Sequence, residues 1–261
     1  MMGNSQIVLR QSLNEQVYQD IYGLEKICRQ YEKGTYKLEL DYKLKNSHAH
    51  TNDNLNEFLY YVDYELIGYI GICDFDAAVL EVTGMVHPDF RNQGIFSKLY
   101  ELVQEEFNKR PAEEMLLLCH KDLHAGLHFI EQKARYHHAE YDMYLDISAF
   151  SPMMKCYLKM EEIDSKEHLF IGKLGDTAIG QVRLELGAEV GGIYGLEIFP
   201  DFRRQGYGRK LLTQAIEKLA AHGMRKVFLQ VDTMNEQALK LYQSCGFVEG
   251  DVMLYYSTSK N

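Results

Sequence analysis

The stretch HPDFRNQGIFSKL, from His87 to Leu99, returns as FPDFRRQGYGRKL from Phe199 to Leu211. Both copies run Pro-Asp-Phe-Arg, differ once (Asn92 against Arg204), and resume with Gln-Gly. Each follows an apolar hairpin pattern and precedes a long amphipathic helix, then a strand and a further helix. A repeat of that length is a domain duplicated, not the short unit of a solenoid. The reading is therefore two α/β domains, 1–150 and 151–261, divided near Ser151-Pro152.

Working outward from the first copy, Phe58–Asp63 and Glu65–Asp74 read as paired strands, and Ala78–Val86 as a third that ends at Pro88. Phe96, Leu99, Tyr100, Val103 and Phe107 recur at helical spacing after Gly94. Met115–Cys119 is a short apolar strand, and a helix runs through Gly126 and Ile130. Ser12–Tyr31 carries one apolar side and reads as an additional helix. Lys43–Asn56, rich in Asn, His, Ser and Thr, reads as a solvated loop. The second copy repeats the plan. His168–Lys173 and Ala178–Leu186 form a hairpin around Gly175-Asp176, followed by a strand at Ile193–Phe199, a helix from Arg204, a strand at Val227–Val231, a helix at Asn235–Ser244, and Phe247–Ser257 to close the sheet. The first domain would end with a strand at Met143–Ile147 and the second begin with one near Lys155. The second domain has almost nothing before its hairpin, so it lacks opening helices and another element must cover that face; the first domain is the expected cover and a contributor to the acceptor pocket.

Composition narrows the function classes. With 46% hydrophobic and 25% charged residues the chain reads as globular, and no apolar run approaches the roughly 20 residues that span a bilayer. The opening MMGNSQIVLR lacks a basic region followed by an apolar one, and Gly3 is misplaced for myristoylation, so the expectation is a cytoplasmic protein. Five dispersed cysteines without a CxxC pair fit reduced thiols. A formal net charge of −10 repels nucleic-acid backbones and anionic membranes and attracts a cationic amine.

The chemistry concentrates in Arg203-Arg204-Gln205-Gly206-Tyr207-Gly208. A glycine-rich turn between strand and helix can aim successive N–H groups at one phosphate cluster, and the helix dipole favours the same anion. Arg209 and Lys210 add positive charge in an acidic chain, so the turn suits a pyrophosphate; a plain strand-to-helix turn is the alternative. A second motif follows, Asn235-x-x-Ala238-x-x-Leu241-Tyr242-x-x-x-Gly246-Phe247.

With both motifs in place, the second domain resembles the GNAT superfamily of CoA-dependent N-acetyltransferases, and the resemblance covers most of the chain as a tandem pair. It implies an α/β fold in which each domain is a mixed, mostly antiparallel sheet flanked by helices. It implies acetyl-CoA as cosubstrate, no metal, and direct attack by a primary amine on the thioester. Carried over, Leu196, Glu197 and Ile198 would offer backbone groups to the pantetheine arm. Arg203 through Arg209 (Arg203, Arg204, Gln205, Gly206, Tyr207, Gly208, Arg209) would form the pyrophosphate loop. Asn235 would contact the cofactor, and Tyr242 would protonate the leaving thiolate. An N–H at Ile198 can polarise the carbonyl. Tyr242 also reads as a half-buried helix tyrosine packing beside Leu241. Strand alternation sends Glu197 away from Leu196 and Ile198, making it a candidate base, with Glu185, Glu189 and Asp232 as competitors.

The first domain departs from this pattern. Phe96 stands where the second has Gly208, Leu123 where it has Asn235, and Ile130 where it has Tyr242. It reads as catalytically degenerate, retaining Arg91 and Gly94 for a phosphate. His120, His124 and His128 fall at four-residue intervals and would align on one helix, which raises a metal site without an HExxH arrangement to support it. His48, His50, His137 and His138 support no specific role. Tyr60, Tyr61 and Tyr64 are candidate pocket walls. The acceptor is a small-molecule or peptide amine, a homo-oligomer is compatible with the chain, and the competing function is a non-catalytic, CoA-responsive regulatory module.

Overall fold

The computed structural model describes residues 4–47, 53–151 and 158–260. The strand start near Lys155, Pro152, Cys156, His48 and His50 lie outside the described residues. In chain order the first elements are β1 (Ser5–Arg10), α1 (Glu15–Tyr31), α2 (Leu40–Lys45), β2 (Glu57–Val62), β3 (Glu65–Asp76), β4 (Val79–Val86), α3 (Ile95–Lys109), β5 (Glu114–His120) and α4 (His124–Glu131). They are followed by β6 (Arg135–Asp146), β7 (Lys159–Asp164), β8 (Leu169–Leu174), β9 (Thr177–Leu186), β10 (Val190–Ile198), α5 (Tyr207–Ala221), β11 (Lys226–Asp232), α6 (Glu236–Ser244) and β12 (Val248–Ser259). No helix among the described residues is long and apolar enough to cross a membrane.

The chain packs as two compact units, Met1–His138 with Met253–Asn261, and Ala139–Val252. This partition differs from a cut at 150/151 because the last strand of each sequence repeat pairs outside its own repeat. In unit 1 the strand order is β1-β2-β3-β4-β5-β12, and the chain's last strand runs antiparallel to β5, from Met253 opposite His120 to Ser259 opposite Glu114. In unit 2 the order is β6-β11-β10-β9-β8-β7, with Asp146 opposite Lys226 and Glu140 opposite Asp232. A sequence pattern reveals that a strand exists but not its partner, so reading β12 as closing the second domain's sheet missed the exchange.

Both faces of the unit 1 sheet are covered. One side packs Phe58, Ile70, Leu80 and Val82 against Leu99, Tyr100, Val103 and Phe107 of α3. The other packs Leu59, Tyr69 and Met85 against Val17, Ile21, Leu24 and Cys28 of α1. The helix begins where Asn14 accepts a hydrogen bond from the Val17 N–H, and it buries Val17, Ile21, Leu24 and Cys28 at alternating four- and three-residue spacing; of the apolar side read from Tyr18, Ile21, Tyr22, Leu24, Ile27 and Cys28, Tyr22 and Ile27 stay exposed. Each such buried aliphatic residue contributes about 1.5–3 kcal/mol. Unit 2 builds its core on one side, where Val227, Leu229 and Val231 meet Leu211, Leu212, Ala215, Ile216 and Leu219 of α5. Among the described residues it has no α-helix ahead of its hairpin, only the short 3-10 turn Ile147–Ala149.

Two segments differ from the sequence reading. The loop expected at Lys43–Asn56 contains part of α2, and Lys43 is buried with its ammonium 3.0 Å from Glu57, itself buried, and 3.2 Å from the Tyr69 hydroxyl. No local pattern announces this internal ion pair. β1 has no counterpart in the sequence reading: its Ser5–Arg10 ladder pairs with β2, and it is a largely exposed edge strand with weak alternation.

Candidate active site

In unit 2 the parallel ladder between β10 and β11 holds only from Val190 opposite Lys226 to Gly192 opposite Phe228. Beyond it both strands continue without pairing, so the facing edges of Ile193–Ile198 and Leu229–Asp232 open a wedge with backbone donors and acceptors unclaimed by a ladder. On its other edge β10 pairs with β9, but the register jumps between Tyr194 (opposite Arg183) and Glu197 (opposite Gln181). Gly195, at φ +56°, takes the left-handed conformation of this bulge. Gly195 and Leu196 are thereby released from the regular ladder just where the wedge opens. Unit 1 has the same wedge, its β4–β5 ladder ending at Val82 opposite Leu117, but β4 pairs with β3 without interruption from Glu81 to Val86. The bulge is the feature sequence reasoning missed; an isolated glycine inside a strand pattern was the available signal.

The loop entering α5 turns through Arg204 at φ +59° and Gly206 at φ +79°, the latter capping the helix. Its counterpart in unit 1 does so through Asn92 at +61° and Gly94 at +76°. The helix expected from Arg204 therefore starts at Tyr207, because a left-handed residue cannot continue a right-handed helix. The N–H groups of the first turn of α5 have no intrahelical acceptors and carry the positive end of the dipole. Arg203 folds back on the loop, its Nε donating to the Ile198 carbonyl at 2.7 Å and its Nη2 lying 3.4 Å from Glu197. Arg91 repeats the first of these contacts on the Val86 carbonyl at 3.1 Å. Arg209 reaches the end of α6, donating to Ser244 Oγ at 2.5 Å and to its carbonyl at 3.3 Å. Among the described residues the Arg204 side chain has no ion pair. Gln205 donates to the Asp201 carbonyl at 3.0 Å, and Lys210 lies over the Tyr207 ring at 5.1 Å.

A Cβ added at Gly208 would sit 3.4 Å from Leu241 Cδ2, so the first turn of α5 adjoins the helix that bears Tyr242. Asn235 caps that helix by accepting from the Ala238 N–H at 3.1 Å, which directs its carbonyl oxygen inward and leaves the amide NH2 as a donor. Tyr242 is 8% exposed and packs beside Phe247, and burial pushes its phenol above the ordinary value, which keeps it protonated. Leu196 and Ile198 pack toward the unit 2 core while Glu197 stands on the opposite side, its carboxylate 3.5 Å from Gln181 Nε2. Among the competing bases, Glu189 pairs with Arg225 at 3.3 Å beside the start of β10, away from the wedge, and Asp232 accepts from the Met234 N–H at 2.7 Å to shape the turn before Asn235.

The remaining sequence candidates separate. His120 ends β5 whereas His124 begins α4, so the three evenly spaced histidines do not share a helix. Tyr60 belongs to the unit 1 core, Tyr61 donates to Asp20 at 3.0 Å, and Tyr64 is 97% exposed. The cavity walls in unit 1 are instead Tyr36 and Tyr100. Tyr36 follows a segment with no periodic pattern, and Tyr100 sits on the α3 face read as core.

Comparison with known proteins agrees with this geometry. The family model described as the Acetyltransferase (GNAT) family matches residues 18–135 and again 132–247. The [ribosomal protein bS18]-alanine N-acetyltransferase of Escherichia coli K12 is 36% identical over 89 residues, which is 34% of this chain and 57% of that protein. Mycothiol acetyltransferase of Paenarthrobacter aurescens is 36% identical over 73 residues, 28% of this chain and 23% of that protein. The chain thus spans 57% of the length of the first curated relative it matches. Among solved structures, a GCN5-related N-acetyltransferase from Sphaerobacter thermophilus superposes with a TM-score of 0.79 at 16% identity, covering 98% of this chain and 96% of that one. A tandem GNAT protein from the clavulanic acid biosynthesis pathway gives 0.75 at 11%, covering 99% of each. At those identities the likeness is one of fold. With a duplicated motif, two matching sheets and two matches to one family model, the chain belongs to the GNAT acetyltransferase family and carries two copies of its domain in tandem.

Proposed function

We propose that the protein is an acetyl-CoA-dependent N-acetyltransferase, and that unit 2 transfers the acetyl group to a primary amine. The observation that carries this reading is the placement of Tyr242: buried, kept protonated, and on a helix that touches the phosphate loop through Leu241 and Gly208. The same backbone loop exists in unit 1 without a tyrosine, asparagine or small residue at the matching positions, which supports a single catalytic unit.

Gly206, Tyr207 and Gly208 with Arg204 hold the pyrophosphate through N–H groups and charge, and the freed backbone of Gly195–Ile198 receives the pantetheine arm as an added strand would. Holding amine and thioester together removes much of the entropic barrier. The amine nitrogen bonds to the carbonyl carbon and the C–S bond breaks. The departing sulfur takes the Tyr242 proton, and the proton lost from nitrogen goes to Glu197, directly or through water. Asn235 orients the cofactor with its free amide NH2.

A cationic acceptor is favoured by the net charge of −10 and by the sheet face that carries Glu197. Tyr144 on β6 packs against Phe228 at 5.3 Å, and its phenol is pushed up to about 12 by burial and by the negative charges of Asp142 and Asp251. The names of the relatives, a ribosomal-protein alanine N-acetyltransferase and a mycothiol acetyltransferase, leave both peptide and small-molecule amines open. The described cysteines are free thiols, in keeping with a cytoplasmic setting. Calorimetric titration of acetyl-CoA into the wild type and Gly206→Trp, followed by thiol release with a panel of amines, tests the reading. One equivalent bound by the wild type only, with amine-dependent release lost in Tyr242→Phe, is expected. Binding without amine-dependent release would instead favour a CoA-responsive module.

A further inference from the structure

Unit 1 contains a cavity of about 260 Å³ in the wedge between β4 and β5, walled by Val82, Leu117, Phe96, Tyr100, Phe129 and Tyr36. An apolar cavity of roughly 150 Å³ is enough to take benzene, so this one accommodates a molecule larger than a single ring. Two of its lining hydroxyls are buried without a hydrogen-bond partner, Tyr100 OH and Thr35 Oγ1. Tyr100 is 2% exposed. Leaving such a group unpaired costs about 1–3 kcal/mol, so their presence on one cavity calls for an occupant that supplies hydrogen-bonding atoms.

The charges at the cavity are already matched. Arg91 pairs with Glu32 at 2.8 Å, and Lys37 pairs with Glu81 at 3.3 Å and donates to Tyr255 OH at 2.8 Å. A buried anion or cation would therefore meet no free counter-charge. Phe96 and Tyr100 both meet Phe129 edge to face, with ring centroids 4.8 and 5.3 Å away, and this aromatic cluster occupies the side where unit 2 has Gly208. We propose that unit 1 binds a neutral, mainly apolar small molecule bearing a carbonyl or hydroxyl group, with its polar atom at Tyr100 and Thr35 and its body against Phe96, Phe129 and Leu117. This site is separate from the catalytic reading of unit 2 and does not depend on it.

Three uncharged probes, N-benzylacetamide, 4-methylphenol and cyclohexanone, are titrated against the full chain by saturation-transfer NMR and calorimetry. The background is Gly206→Trp, which removes any response from the unit 2 loop. At least one probe is expected to bind saturably and equally in wild type and Gly206→Trp. Tyr100→Phe and Thr35→Val should each weaken it about three- to tenfold, the loss of one net hydrogen bond, without lowering the ligand-free melting temperature. Failure of all three probes to bind overturns the proposal, as does affinity indifferent to both substitutions. Displacement of the probe by acetyl-CoA in the Gly206→Trp protein overturns it too, because the cavity would then be a coenzyme cleft.

Discussion

Phe96 meets Phe129 edge to face at 4.8 Å in unit 1, where unit 2 sets Gly208 beside Leu241. The loops are alike in backbone, so the difference between these two loops lies in what stands over the helix start.

That difference predicts the behaviour of Gly208→Ala. The added methyl would meet Leu241 and Ile198 at 3.4 and 3.8 Å, ordinary contact distances, and alanine is favoured over glycine within a helix by about 0.5–1 kcal/mol. The melting temperature should hold or rise. If the first turn of α5 holds the pyrophosphate as proposed, the loss of a glycine there should lower acetyl-CoA affinity by about tenfold, roughly 1.4 kcal/mol. Scanning calorimetry and isothermal titration separate the two effects.

Tyr242→Phe should lower kcat by about 10²- to 10⁴-fold, the range of general acid catalysis, with acetyl-CoA affinity little changed. The pH profile supplies the sign. Burial raises the phenol, so the group stays protonated, and competent, above the ordinary tyrosine value near 10. An alkaline limb assigned to Tyr242 must therefore fall above pH 10 in the wild type and vanish in the phenylalanine variant; steady-state rates across pH 6–11 check this.

Lys43, Glu57 and Tyr69 form a buried set, with Tyr69 OH donating to Glu57 at 2.5 Å and Glu57 accepting from Lys43 at 3.0 Å. Removing one ion leaves the other uncompensated, at a cost of about 3–5 kcal/mol. Lys43→Met should destabilise unit 1 by that order in urea, and Lys43→Met with Glu57→Leu should recover much of it.

The sheet exchange predicts an effect at a distance along the chain. Truncation after Val252 removes Met253, Tyr255 and Tyr256, all buried in unit 1 and worth about 1.5–3 kcal/mol each. That sum rivals the roughly 5–15 kcal/mol stability of a whole domain. Hydrogen exchange on the truncated protein should show lost protection in β5, far from the cut in sequence.

The elements themselves were legible because periodicity survives in isolation: helix α1, the α3 face and the hairpins follow from local spacing. That Gly206 and Gly208 stand at a turn entering a helix and Tyr242 on the last helix was legible because two motifs mark those places. Pairing was not. Nothing local to Met253–Ser259 marks Glu114–His120 as its neighbour, and nothing local to Lys43 marks Glu57 as its counter-ion. The bulge at Gly195 depends on the register of β9, and the orphaned hydroxyl of Tyr100 depends on a cavity shaped by several elements. Such features arise from long-range geometry, which one residue's sequence neighbours do not encode.

Because β12 completes the sheet of unit 1, the first domain begun during synthesis cannot be finished until Met253–Ser259 have left the ribosome. Unit 2 likewise needs β6, which is encoded ahead of the second repeat. A gene fragment holding either repeat alone would specify a sheet with a missing edge. The duplication is thus locked: neither copy can be discarded without removing a strand from the sheet of its twin.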